Sequence, residues 1–199
     1  MKLFFLLVGL IHIGPSLAIP YEEYILAPKS RTLHPISVHS TNGSVSDPEN
    51  LTLPSGSSIF DSISATTYDF GINIAGVVAL TIGNVSSTDQ YIGVTFLESS
   101  LWVSNLSSDA TAAAGKDATL WFQVTGPGRY EAPREKERGG FRYLTLVHNV
   151  TGSVEVTGVE VHYTAMPHWA DDALGAYTGY FHCDGVFCFL IILSSLHLS

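Results

Sequence analysis

The chain has 199 residues, with 9 Lys and Arg against 18 Asp and Glu, giving a formal net charge of −9 at pH 7. Charged residues are 14% of the chain, well below the roughly 25% of an average soluble domain. This balance excludes a nucleic-acid partner, while the length suffices for one domain with a real core.

Met1-Lys2 supplies a short positive start, LFFLLVGLIHI an apolar core, and Ser16-Leu17-Ala18 a small-x-small cleavage pattern. Residues 1–18 therefore read as a secretory signal peptide, too short in its apolar part to span a bilayer comfortably. A secreted, extracellular destination follows. Five Asn-x-Ser/Thr sequons begin at Asn42, Asn50, Asn84, Asn105 and Asn149. Behind a signal peptide they predict a glycoprotein and mark those segments as surface. Glycans would also supply solubility that a charge-poor surface lacks.

Residues 19–60 are rich in Pro, Ser, Thr, Asn and Gly and read as an extended N-terminal segment, with one strand near Ile36-Ser37-Val38. From Thr66 onward the pattern changes. TTYDF and INIAGVVALTIG are β-branched runs whose glycines mark bulges or turns. YIGVTFLE alternates, placing Ile92, Val94 and Phe96 on one face. TLWFQVT, FRYLTLVH and SVEVTGVEVHYT continue in the same style. Ser107–Gly115 suits a short helix or a loop. Helical periodicity is otherwise nearly absent, so the predicted fold is all-β, an antiparallel, jelly-roll-like β-sandwich over 61–166.

Candidate chemistry is sparse. Glu98 ends YIGVTFLE on its apolar face, where a carboxylate could acquire a raised pKa and act as an acid; a strand-end Glu reaching solvent or an Arg is the simpler reading. Asp171-Asp172 could suggest glycosidase carboxylates, but those flank a bond from opposite sides. Trp-Ala-Asp-Asp reads better as the acidic first turn of a helix. Arg129–Arg142 holds five of the nine Lys and Arg residues and three glutamates. It reads as an anion or sugar-acid clamp or, more simply, as a solvated connection between strands. Trp102, Trp121 and Trp169 could stack on sugar rings, though Trp102 and Trp121 sit in strand patterns that suggest core. Cys183 and Cys188, if paired, would close only a tiny terminal loop. With His182 they lack the second ligand pair of a zinc site. No metal, cofactor or catalytic residue is predicted from the residues themselves.

Several segments together resemble α-L-rhamnosidases of glycoside hydrolase family 78, in their fungal secreted branch. YDFGINIAGVVALTI, Tyr68 to Ile82, is similar to that family's Asp-Phe-Gly-x-Asn-x-x-Gly strand, carried here by Asp69, Phe70, Gly71, Asn73 and Gly76. GVTFLESSLW fits the next strand, with Glu98 at a family position. GGFRYLTL fits the Gly-Phe-Arg-Tyr strand through Gly140, Phe141, Arg142 and Tyr143. YILAPKSRTLHP and GYFHCD fit the beginning and the linker, so the resemblance covers about residues 24–184.

The resemblance implies a non-catalytic sandwich preceding an (α/α)6 barrel, in which two carboxylates hydrolyse terminal α-L-rhamnosides with inversion. None of those carboxylates maps onto this chain, and Glu98 inherits no acid role. The implied partners are rhamnosylated glycosides or polysaccharides. Residues 167–184 would open the linker. After Asp184 the family continues with an amphipathic helix, whereas this chain gives GVFCFLIILSSLHLS, an aberrant apolar tail over 185–199 expected from an unspliced intron or a frameshift. Two other classes fit the residues: a lectin-like carbohydrate-binding module, and a wall- or membrane-attached structural glycoprotein whose apolar end loosely resembles a glycolipid-anchor signal.

Overall fold

The computed structural model describes residues 25–108 and 118–175; those from 28 onward belong to one compact unit. The β-branched runs form its strands: β1 (Thr32–Leu33), β2 (Ser37–Ser46), β3 (Ser58–Val85), β4 (Gln90–Leu97), β5 (Leu120–Val124), β6 (Gly128–Glu131), β7 (Arg138–His148) and β8 (Ser153–Tyr163). All their pairings are antiparallel. The helical turns among the described residues are short 3-10 segments at Pro48–Thr52, Ser100–Trp102 and Arg134–Lys136. The strands make the expected β-sandwich from one curled sheet of order β1-β8-β3-β7-β4-β5, with β2 and β6 added along β3. Residues 1–18, read as a signal peptide, residues 109–117, GYFHCD, both cysteines and the apolar tail lie outside the described residues.

TTYDF and INIAGVVALTIG, separate runs in the sequence, are parts of one 28-residue strand, several times the usual length. Strand β3 changes neighbours along its length. Its first half pairs with β2 as far as Asp69↔Ser37, with β8 over Ser58–Asp61 and with β7 from Ser64↔His148 to Asp69↔Tyr143. The register then shifts between Asp69 and Ile74. Pairing with β7 continues at Ile74↔Phe141 and Gly76↔Arg138; from Gly76↔Tyr163 the second half pairs again with β8, and from Ala79↔Glu131 with β6. Such an irregularity bends a strand and increases its twist, which helps the sheet curl around a core. Within the curled sheet Phe60, Tyr68, Leu80, Ile92, Phe141 and Leu144 are fully buried. Phe141 packs edge-on against Phe70 and Phe96, with ring centroids 6.0 and 4.9 Å apart. Each such contact contributes about 0.5–1.5 kcal/mol beyond burial.

The bend is held by charge. Asp69 Oδ1 accepts the Gly71 N–H at 2.6 Å, and Gly71 has φ +77°, a conformation that glycine adopts without a Cβ penalty. Arg142 on β7 donates Nε and Nη2 to Asp69 Oδ1 and Oδ2, both at 2.8 Å. This two-pronged bond is the geometry at which guanidinium excels. Arg142 holds the Asp69 carboxyl below its usual range; partial burial opposes that shift and the Gly71 N–H reinforces it. Elsewhere in the sheet, buried His148 joins β3, β4 and β7. Its Nδ1 lies 2.6 Å from the Ser62 carbonyl and its Nε2 lies 2.8 Å from Gln90 Oε1. Burial pushes this imidazole below the ordinary histidine range, against the pull of the Ser62 carbonyl and the Asp61 carboxylate.

A second charged anchor ties the start of the unit to its end. Arg31, itself buried, donates Nε to Asp171 Oδ1 at 2.6 Å. Its Nη1 donates to the Tyr163 and Ala165 carbonyls, and its Nη2 to those of Met166 and Trp169, at 2.7–3.1 Å. All five guanidinium N–H groups are therefore used. This corrects the helix expected at Asp171-Asp172. Residues 170–175 are turns, because the Asp171 carboxylate faces Arg31 and the preceding carbonyls converge on the same cation.

Replacing Arg31 by Ala leaves several carbonyls and one carboxylate without their donor, and costs about 2–4 kcal/mol. In a thermal melt this lowers Tm by roughly 10 °C, and Arg31→Lys recovers only part of it; an unchanged Tm refutes the anchor. Gly71→Ala costs about 1–2 kcal/mol for the left-handed backbone. For Asp69 the sign follows from its lowered folded pKa. Its contribution is present above the ordinary carboxyl value of 3.8 and is lost as pH falls through the depressed folded value. Melting points of wild type and Asp69→Asn therefore separate at pH 7 and converge below about pH 4. A constant separation across that range contradicts the pair.

Candidate functional site

Strand β4 ends at Leu97 and the chain turns at once. Ser99 caps the 3-10 turn Ser100–Trp102 by accepting the Leu101 N–H at 3.2 Å. The segment that follows is fastened back onto β4: Thr95 Oγ1 donates to the Ser104 carbonyl at 2.6 Å, and Ser108 Oγ accepts the Phe96 N–H at 3.0 Å. Across the gap, the 3-10 turn Arg134–Lys136 delivers Glu137, Arg138, Gly139 and Gly140 into β7. Between these walls lies a cleft of about 750 Å³, lined by Glu98, Trp102, Ser104, Glu137, Arg138 and Gly140 among others.

Its chemistry is that of an open polar site with one aromatic face. Trp102 is 71% exposed, which overturns the core reading; it sits on a turn beyond the strand, outside any alternation that would bury it. Glu98 also lies past the strand end and is exposed. Gly140 has φ +56°, and a Cβ there would come 2.7 Å from Glu98 Oε1. The glycine thus lets the carboxylate lie along the β7 backbone. Glu137 accepts the Thr164 hydroxyl, so the C-terminal end of β8 braces the same wall. An exposed indole, two carboxylates and a guanidinium around a cleft can stack on one face of a sugar ring and hydrogen-bond its hydroxyls.

The motif residues divide between scaffold and cleft. Asp69, Phe70, Gly71, Phe141 and Arg142 build the bend already described, and Gly76 is buried beside Tyr163 of β8. Tyr143 is buried, 5.1 Å from the His39 ring and 5.3 Å from the Arg142 guanidinium carbon. Asn73 is exposed. Glu98 and Gly140 alone among them line the cleft. The segment Arg129–Arg142, read as a solvated connection, contains β6, a 3-10 turn and the start of β7; Arg129 pairs there with Glu131 and Glu160. Arg31 escaped the sequence reading, since nothing but a cation in a charge-poor chain, two residues after Lys29, marked it. Among the described residues, no group of three or more His, Cys, Asp or Glu is placed to hold a metal.

The sequons are scattered over the described surface. Asn42, Asn105 and Asn149 are exposed, on β2, in the loop after β4 and just past β7. Asn50 is half-buried and donates to the Ser57 carbonyl at 3.2 Å, and Asn84 donates to Glu155 at 2.8 Å. Trp121, on β5, is 40% exposed rather than core, and Trp169 is half-buried beside Arg31.

No family model matches the chain, and no curated protein matches it. Among solved structures it is similar to a rhamnosidase from Klebsiella oxytoca with rhamnose bound, at TM-score 0.50 and 18% identity, over 71% of this chain and 30% of that one. It is also similar to a mutant of the lectin binding domain of Lectinolysin complexed with Lewis b, at TM-score 0.44 and 15% identity, over 71% of this chain and 96% of that one. The chain thus spans under a third of the rhamnosidase it matches, and what it shares with that protein is the β-sandwich fold.

Proposed function

We propose that this chain is the secreted, non-catalytic β-sandwich of an α-L-rhamnosidase-like glycoside hydrolase, and that it contacts saccharide through the Trp102 cleft. The observation that carries the reading is the exposed Trp102 indole set against Glu98, Glu137 and Arg138 in one cleft. Two further facts support it. The Asp-Phe-Gly and Gly-Phe-Arg-Tyr segments behind the family resemblance meet in space, through the Asp69–Arg142 fork and the Phe70–Phe141 contact. The rhamnosidase with a similar fold was solved with rhamnose bound. In this reading the parent activity, hydrolysis of terminal α-L-rhamnosides, belongs to a barrel that follows the sandwich. Rhamnose or a rhamnosylated oligosaccharide is the ligand. The cleft also suits a free-standing lectin-like module, which binds sugar but has no hydrolase partner.

Calorimetric titration of the purified chain with rhamnose and rhamnosylated oligosaccharide should give a Kd of about 1 mM, as expected of an open, solvated cleft. Trp102→Ala, at an exposed turn, should weaken binding roughly tenfold, the equivalent of about 1.4 kcal/mol, without changing Tm. Trp121→Ala, outside the cleft, should leave binding unchanged. Absence of binding at millimolar sugar refutes the cleft. Release of rhamnose from an aryl rhamnoside by the chain alone refutes the non-catalytic part.

A further inference from the structure

On the face formed by β2, β3, β7 and β5 lies a second groove of about 400 Å³, chemically unlike the first. Its apolar wall is made by Ile63, Leu106 and Trp121, which are 76%, 80% and 40% exposed. Among the described residues, no Asp, Glu, Lys or Arg lines it. In a chain with so few charges, such a patch invites association with other apolar surface. Three asparagines also line it: Asn42, Asn105 and Asn149. They come from strands and loops far apart in sequence, and each begins an Asn-x-Ser/Thr sequon. The other two sequon asparagines, Asn50 and Asn84, do not line this groove.

We infer that Asn42, Asn105 and Asn149 carry N-linked glycans whose inner sugars lie over the Ile63–Leu106–Trp121 groove and keep it from water and from other chains. The inference rests on the secretory reading of residues 1–18 and is independent of sugar binding at the Trp102 cleft. The modification is a group transfer. The Asn Nδ2 attacks the anomeric carbon of an oligosaccharide carried on a lipid diphosphate, and the carbon–oxygen bond to the diphosphate breaks. The lipid diphosphate leaves with the electron pair, and the amide proton passes to a base of the transferase. Once attached, the acetamido sugar has a C–H face that the electron-rich indole of Trp121 attracts, and its hydroxyls face solvent. Three attachment points around one groove leave no room for a second copy to dock there, so the glycans are the occupant that the rim itself specifies.

The test uses the full chain secreted from a eukaryotic host through its own N-terminus. Glycopeptide mass spectrometry should find Asn42, Asn105 and Asn149 occupied. Enzymatic removal of the glycans from the folded protein should raise the fluorescence of an apolar dye severalfold, with far-ultraviolet circular dichroism unchanged. Trp121→Thr should remove most of that rise, and a protein lacking only the Asn84 sequon (Asn84→Gln) should behave as wild type. Unmodified asparagines at the rim overturn the inference. So does dye binding that is the same before and after deglycosylation, including the case where self-association hides the groove in both states.

Discussion

Asp69 spends both carboxylate oxygens on a single bend: it accepts two N–H groups from Arg142 on the neighbouring strand and the N–H of Gly71 on its own. Those three bonds fix the place where β3 shifts register against β7, between its pairing with β2 and its pairing with β6. A strand of 28 residues carried on in one unbroken register would continue on an evenly twisted path. The left-handed Gly71 and the register shift after Asp69 break that path, and the fork holds the broken path to β7. Phe70 and Phe141, each adjacent in sequence to a partner of the fork, are thereby driven together in the core. Charge and packing at this bend therefore reinforce one another. Local conformation and global fold agree there, as they must for a unique native state.

The cleft is a consequence of the same bend. Gly140, Phe141 and Arg142 are consecutive, so the residue that frames Glu98, the residue that fills the core and the residue that grips Asp69 cannot move independently. Thr95 and Ser108 hold the opposite wall through short polar bonds, which leaves Trp102 on a brief turn with its ring in solvent. Arg31 acts at the far end of the unit. It gathers the carbonyls of residues 163–169 around one buried cation and so sets the direction in which the chain leaves β8.

Legibility in the sequence was uneven, for physical reasons. Period-two runs and turn residues report strands well, and β4, β7 and β8 lie where YIGVTFLE, FRYLTLVH and SVEVTGVEVHYT place them. The same signal could not tell that β4 is buried on both faces, with Thr95 and Leu97 as hidden as Val94 and Phe96, since alternation is lost when two layers close. Trp102 and Trp121 looked like core because large aromatics in strand-like runs usually are; one lies past a strand end and the other on β5, the terminal strand of the sheet path. Asp171 looked like a helix start because its cation partner stands 140 residues away.

From the sequence alone came the all-β class, the approximate strands, the sequons and the two motif segments, because each depends on residues close together along the chain. Tertiary structure decided that Asp69 and Arg142 are partners and that Arg31 saturates itself on the C-terminal turns. It also decided that Trp102 faces a cleft with Glu98 and Arg138, and that three distant sequons border one apolar groove. Each of these depends on strand register and on the bend in β3. A shift of one residue in register sends every side chain to the opposite face, and that register is fixed by contacts the linear pattern does not contain.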